Sequence, residues 1–185
     1  MTGQIRATIS TTSKYLPEKV MTNHDLEKLV DTNDEWIVSR TGISERRVVE
    51  SGQATADMCI HVARKILQKR DISADDIDVI IIGTVTPDML LPSTAALVQD
   101  AIGASSAWGY DLSAACSGFL FALETGVNLI ESGRYNKVLV LGADTMTSIL
   151  DYEDRGTCVL FGDGAGGVLL EPSQDENYII DSLLF

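Results

Sequence analysis

Two short aliphatic runs limit the fold more than anything else in this chain. Asp78–Thr86 reads DVIIIGTVT and Lys137–Gly142 reads KVLVLG. Neither alternates apolar with polar residues, so each is expected to be a strand covered on both faces. Strands of that kind need helices above and below, and helical patterns stand between them. Thr55–Arg70 sets Met58, Ile60, Val62, Ile66 and Leu67 on a broad apolar face. Pro92–Ile102 is a helix closed by Gly103, Ala107–Leu112 a strand, and Ser117–Ser132 a helix closed by Gly133. The alternation predicts an α/β layered sheet.

The flanking segments are read more locally. Gln4–Ser10 is a strand, followed by a turn at Tyr15–Glu18 around Pro17. Asn23–Val30 is a short helix that Asn23 caps. Thr32-Asn33-Asp34-Glu35 reads as a capping box, with Thr32 and Glu35 exchanging bonds at the start of a helix that runs to about Thr41 and stops at Gly42. Thr157–Phe161 and Gly166–Glu171 read as strands flanking a glycine-rich turn, and Tyr178–Leu184 as a last strand. There is no repeat, low-complexity tract or linker.

At 185 residues the chain is one compact domain or part of a larger protein. Its net charge of −13 weighs against nucleic acid and anionic membranes as partners. Three widely spaced cysteines form neither a disulfide framework nor a zinc pattern, which fits a reducing, cytoplasmic setting. The N-terminus lacks a basic-then-apolar leader, and no run reaches membrane-spanning length. No carboxylate pair or ligand cluster points to a metal.

Cys116 is the foremost chemical candidate. It lies in YDLSAACSGFL, where an apolar strand passes through small residues into an apolar helix. Unpaired N–H groups at a helix start favour thiolate over thiol. Ser113, Ala114, Ala115, Ser117 and Gly118 leave room beside the sulfur. Two readings stand: a nucleophile that accepts an acyl group, or a buried core cysteine. The other thiols read as core, Cys59 in an amphipathic helix and Cys158 in a strand. Trp36 and Arg40 are four residues apart on one helix and share a face. They form either a stacking site for a base with a cation for phosphate, or an ordinary surface. Gly162–Gly167 (GDGAGG) is a poor phosphate loop, because the chain after it reads as a strand, and a tight turn fixed by Asp163 is expected instead. His24 and His61 lie in no motif. The helix after Cys116 is apolar on nearly every side through its first half, so its second face needs cover from a further half or a partner subunit.

Four segments, in order, carry a resemblance: TNHDLEKLVDTNDEWIVSRTGISERR, AACSGF around Cys116, DRGT at Asp154–Thr157, and LFGDGAGG at Leu160–Gly167. With them the chain, from Ile5 to Phe185, resembles the N-terminal half of the β-ketoacyl-[acyl-carrier-protein] synthase III family. That resemblance implies a thiolase-like α/β fold: one half of a five-layer αβαβα architecture, with a five-stranded mixed sheet and helices on both faces. Residues 1–185 would form the domain carrying the nucleophile, with the C-terminal half absent from the chain. It implies that Cys116 is acylated by acyl-coenzyme A, a substrate, with no separate cofactor. Thr32, Trp36 and Arg40 would contact coenzyme A, and Arg155 would lie over the opposite side of the adenine from Trp36. Met146 and Phe161 would line the acyl pocket, and Leu91, on the loop that crosses the dimer interface, would close the partner's. Malonyl-[acyl-carrier-protein] would supply the condensing carbanion, stabilised by a His and an Asn of the C-terminal half, in a homodimer that initiates fatty-acid synthesis. The alternatives are a synthase of the same fold with a longer or branched primer, and a non-catalytic acyl-coenzyme-A-binding scaffold subunit.

Overall fold

The computed structural model describes residues 5–174 together with Tyr178, Ile179 and Asp181. The strands are β1 (Ala7–Tyr15), β2 (Lys19–Thr22), β3 (Glu45–Val48), β4 (Val79–Gly83), β5 (Trp108–Leu112), β6 (Val138–Thr145) and β7 (Asp163–Pro172). The helices are α1 (Asn23–Leu26), α2 (Asp34–Thr41), α3 (Thr55–Arg70), α4 (Thr94–Ile102) and α5 (Gly118–Glu131). Five strands form one mixed sheet in the order β1-β7-β6-β4-β5. β4 is parallel to β5 and β6, whereas β7 is antiparallel to both β6 and β1.

The two aliphatic runs are β4 and β6 at the middle of this sheet, and every residue of β4 is buried. α3 and α4 cover one face, where Met58, Val62 and Ile66 meet Ile80, Ile82, Leu139 and Leu141. α5 covers the other, where Ala122 and Ile130 meet Val79, Ile81, Val138 and Val140. Helices thus lie on both faces, as expected. α5 approaches the sheet through small residues one turn apart, Gly118, Ala122 and Gly126. A Cβ on Gly126 would stand 2.7 Å from Leu170 Cδ1 and 2.9 Å from Val140 Cγ2. Its other side is open: Leu120 is 53 % exposed, and Phe121 is half-buried.

Several expectations are corrected. β1 runs on to Tyr15 rather than stopping at Ser10, with a register shift between Ile9 and Thr11. It is an edge strand, so its polar stretch after Ser10 costs nothing in burial. Thr22, not Asn23, caps α1: its Oγ1 accepts from Asp25 N and its own N–H donates to the Asp25 carboxylate. α1 ends at Leu26, a single turn. Asn33, not Thr32, caps α2, accepting from Trp36 N at 2.8 Å. β2 and β3, unforeseen, pair with each other in a separate two-stranded sheet.

The largest correction concerns the glycine-rich segment. Residues 157–160 are turns, not a strand, and Cys158 is buried among them. Gly164–Gly167 lie inside β7, all paired to β6 on one side and, from Ala165 on, to β1 on the other. No turn forms there, because both neighbouring strands satisfy its backbone groups. The expected strand at Tyr178–Leu184 falls largely outside the described residues. Tyr178, Ile179 and Asp181, which are described, are not in a strand. No helix among the described residues is long and apolar enough to cross a membrane.

Candidate active site

The site is built on a row of missing side chains. Register sets Gly83 of β4 opposite Gly142 of β6, and Gly142 opposite Gly166 of β7. Three adjacent strands are therefore bare along one transverse line. The start of α5 sits against this line. A Cβ on Gly83 would lie 2.7 Å from the Gly118 carbonyl carbon and 2.9 Å from Phe119 N, and one on Gly142 would lie 3.1 Å from Phe119 Cβ. Only glycine admits so close an approach.

Cys116 lies in the single turn Ala115–Ser117 that joins β5 to α5. Ala115 holds a left-handed φ of 46°, so the residue before the thiol carries backbone strain. Ser117 makes no side-chain cap, which leaves the first-turn N–H groups of α5 without one. The thiol is exposed, which removes the reading of Cys116 as a core residue. Cys59 and Cys158 are buried, and burial pushes both of those thiols up.

Cys116 opens onto a cavity of about 560 Å³ beside the glycine row. Phe119, Val85, Met146 and Phe161 give it an apolar lining. Two carboxylates fix its walls: Asp144, which sequence reasoning missed, and Asp163, expected only to fix a turn. Asp144 Oδ1 accepts from Val85 N (2.8 Å), Thr86 N (3.2 Å) and the hydroxyls of Thr84 (3.1 Å) and Thr86 (2.9 Å). Asp163 accepts from Val49 N (2.8 Å), Thr147 N (2.9 Å) and Thr147 Oγ1 (2.6 Å), which holds the turn after Met146. Asp163 therefore fixes neighbouring loops, not a turn of its own. Neither histidine lines this cavity. His24 is exposed beside Glu27, and His61 stacks on Tyr15 with ring centroids 4.7 Å apart.

A second constellation forms at α2. The Arg155 guanidinium lies 4.6 Å from the centroid of the Trp36 ring, and its Nη1 donates to the Asp31 carbonyl at 3.1 Å. The structure thus pairs two residues that are far apart in sequence. Arg40 is exposed at the last turn of α2. Thr32, freed from capping, leaves its Oγ1 buried without a hydrogen-bond partner. Leu91 is not brought to the cavity: it is 86 % exposed on the loop before α4, next to Leu90 at 92 %. Among the described residues no group of three or more His, Cys, Asp or Glu side chains could hold a metal ion.

The family model of 3-oxoacyl-[acyl-carrier-protein (ACP)] synthase III matches residues 110–185. β-Ketoacyl-[acyl-carrier-protein] synthase III of Chlorobaculum tepidum is 60 % identical over 183 residues, covering 98 % of this chain and 56 % of that protein. Among solved structures, 3-oxoacyl-[acyl-carrier-protein] synthase III from Aquifex aeolicus VF5 superposes with a TM-score of 0.89 at 47 % identity, over 91 % of this chain and 55 % of that one. The priming β-ketosynthase of the R1128 polyketide pathway superposes with a TM-score of 0.89 at 33 % identity, over 92 % and 51 %. The chain spans about half the length of the relatives it matches. The fold is thiolase-like, and nearly the whole chain matches the N-terminal half of β-ketoacyl-[acyl-carrier-protein] synthase III.

Proposed function

We propose that this chain carries the acylation half of a β-ketoacyl-[acyl-carrier-protein] synthase III reaction. The observation that carries the reading is the exposed Cys116 thiol at the head of α5, opening onto an apolar cavity. The Cys116 sulfur, as thiolate, attacks the carbonyl of an acyl-coenzyme A. An S–C bond forms, the thioester bond to coenzyme A breaks, and coenzyme A leaves as the thiol after taking up the proton that Cys116 gave up. The acyl chain then occupies the cavity against Phe119, Met146 and Phe161. Malonyl-[acyl-carrier-protein] loses carbon dioxide, its carbanion attacks the Cys116 thioester, and the cysteine sulfur is released. These steps balance without a cofactor.

Thr32, Trp36, Arg40 and Arg155 form the coenzyme A site. The unpartnered Thr32 hydroxyl, the exposed Arg40 cation and the Trp36–Arg155 stack support that reading. The donors that stabilise the enolate oxygen come from a C-terminal half that also covers the open side of α5. The working enzyme is then a cytoplasmic homodimer in which Leu91 closes the partner's acyl pocket and which initiates fatty-acid synthesis.

The test is intact-protein mass spectrometry after incubation with acetyl-coenzyme A and longer or branched acyl-coenzyme A thioesters, followed by peptide mapping. One acyl adduct on Cys116, absent in Cys116→Ser, is expected, and the preferred chain names the primer. If the chain alone gives no adduct, the C-terminal half is added. No adduct in that mixture would assign the chain to the scaffold reading.

A further inference from the structure

Arg46, on β3, is buried to 5 % exposure, yet among the described residues no carboxylate forms an ion pair with it. A buried guanidinium is costly unless its fork is hydrogen-bonded. Its Nη1 donates to Asn23 Oδ1 at 2.7 Å and its Nη2 to the Val159 carbonyl at 2.6 Å. Asn23 is itself 1 % exposed, and its Nδ2 donates to Asp34 Oδ1 and the Ile43 carbonyl, both at 2.8 Å. Asp34 is the first residue of α2, the helix of Trp36 and Arg40. Val159 lies in the turns that follow Arg155, where Cys158 N donates to the Asp154 carbonyl at 3.0 Å. The fork therefore joins the two chain segments that carry the Trp36 ring and the Arg155 guanidinium. Leu26, Ile37, Cys158 and Val159 pack around this joint, with Trp36 at its edge. Gly162 keeps β3 close to it, since a Cβ there would lie 2.8 Å from both Arg46 Cβ and the Arg47 carbonyl oxygen.

We infer that Arg46, acting through Asn23 and the Val159 carbonyl, is a positioning residue that fixes the spacing of the two chain segments carrying Trp36 and Arg155, between whose side chains the base enters, and so determines how strongly the site prefers a thioester bearing an adenine nucleotide. This rests on the reading of Trp36 and Arg155 as the coenzyme A clamp. It gives the buried cation a task that the chemistry at Cys116 does not. Arg46 touches neither substrate nor sulfur; it acts through the spacing of two side chains that do.

The test compares Cys116 acylation by an acyl-coenzyme A with acylation by the matching acyl-pantetheine, which lacks the nucleotide. It is read by mass spectrometry in the preparation that acylates. Arg46→Lys keeps the charge and loses the fork. The ratio of kcat/KM for the two donors is expected to fall about tenfold, the scale of one charge-assisted hydrogen bond, with the loss in KM for acyl-coenzyme A. Asn23→Ala, which leaves Arg46 in place and cuts the joint to Asp34, is expected to lower the same ratio and serves if the lysine variant does not fold. An unchanged ratio in a folded variant, or an equal loss with both donors, overturns the inference, because general loosening does not distinguish them. A wild-type protein with no preference between the donors removes the clamp reading and this inference together. Preference in the wild type that survives both substitutions removes this inference alone.

Discussion

Gly83→Ala tests whether close approach of α5 to the sheet sets the position of Cys116. The added Cβ would meet the Gly118 carbonyl carbon at 2.7 Å, Phe119 N at 2.9 Å and the Gly118 oxygen at 3.0 Å. All three are backbone atoms and none can rotate away. Carbon atoms rest at about 3.5–4.0 Å, so the head of α5 must retreat by about 1 Å. Overpacking of this kind costs about 1–3 kcal/mol. For a chain of this size that lowers Tm by about 2–12 °C. A misplacement of about 1 Å in a reacting group costs on the order of 100-fold in rate. The assay is thermal unfolding by circular dichroism beside a mass-spectrometric time course of Cys116 acylation. Gly166→Ala is the control from the same glycine row: its Cβ would find only the Ser13 carbonyl oxygen, at 3.9 Å, so its Tm should stay near that of the wild type. Wild-type melting and acylation in Gly83→Ala would refute the reasoning.

At the proposed coenzyme A site, Arg155 rests on the Trp36 ring, so a base can stack there only after the two part. Trp36→Ala should weaken coenzyme A binding by about tenfold or more, the worth of a base–aromatic stack. Arg155→Ala should cost less, because the base keeps its stack on the indole and loses only a cation–π contact, worth about 0.5–1 kcal/mol at an exposed site. Titration calorimetry separates them, and a larger loss in the arginine variant would contradict this. In the turn carrying Arg155, hydrogen bonds from Thr157 Oγ1 and Gly156 N hold the Asp154 carboxyl below the usual carboxylate range. A depressed native value contributes stability above the unfolded value, about pH 4, that is lost as pH falls through the native one. The Tm gap between wild type and Asp154→Asn should therefore stay flat from about pH 5 to 8 and narrow only in stronger acid. Narrowing near neutrality would exclude Asp154 as its source.

What could be read from the chain follows the range of the forces involved. β4, β6 and α3 were legible because burial acts on every residue of an element, leaving an unbroken aliphatic run in a strand covered on both faces and a helical period in α3. The helix stops at Gly42, Gly103 and Gly133 were legible because each glycine takes a left-handed φ, at 73°, 79° and 74°. Caps were misread by one residue, since Thr22 and Asn23 stand side by side, as do Thr32 and Asn33, and local spacing suits either. Tertiary bonds decide between them: the Asn23 amide is engaged by Arg46, Asp34 and Ile43, so Thr22 is left to cap. Cys116 stood out at a strand-to-helix junction, but Trp36 and Arg155 came together only through the resemblance, because no periodicity spans the distance between them. The glycines were the hardest. A run such as GDGAGG signals a turn wherever the chain must satisfy its own backbone, and this one has β1 and β6 to satisfy it. Once paired as a strand, its lack of side chains changes meaning. Gly83 and Gly142 are unremarkable in sequence and join Gly166 in one feature only through register, and that feature is the floor against which α5 presents the thiol. A site made partly of absent atoms leaves no chemical signature in the sequence, and only strand pairing reveals it.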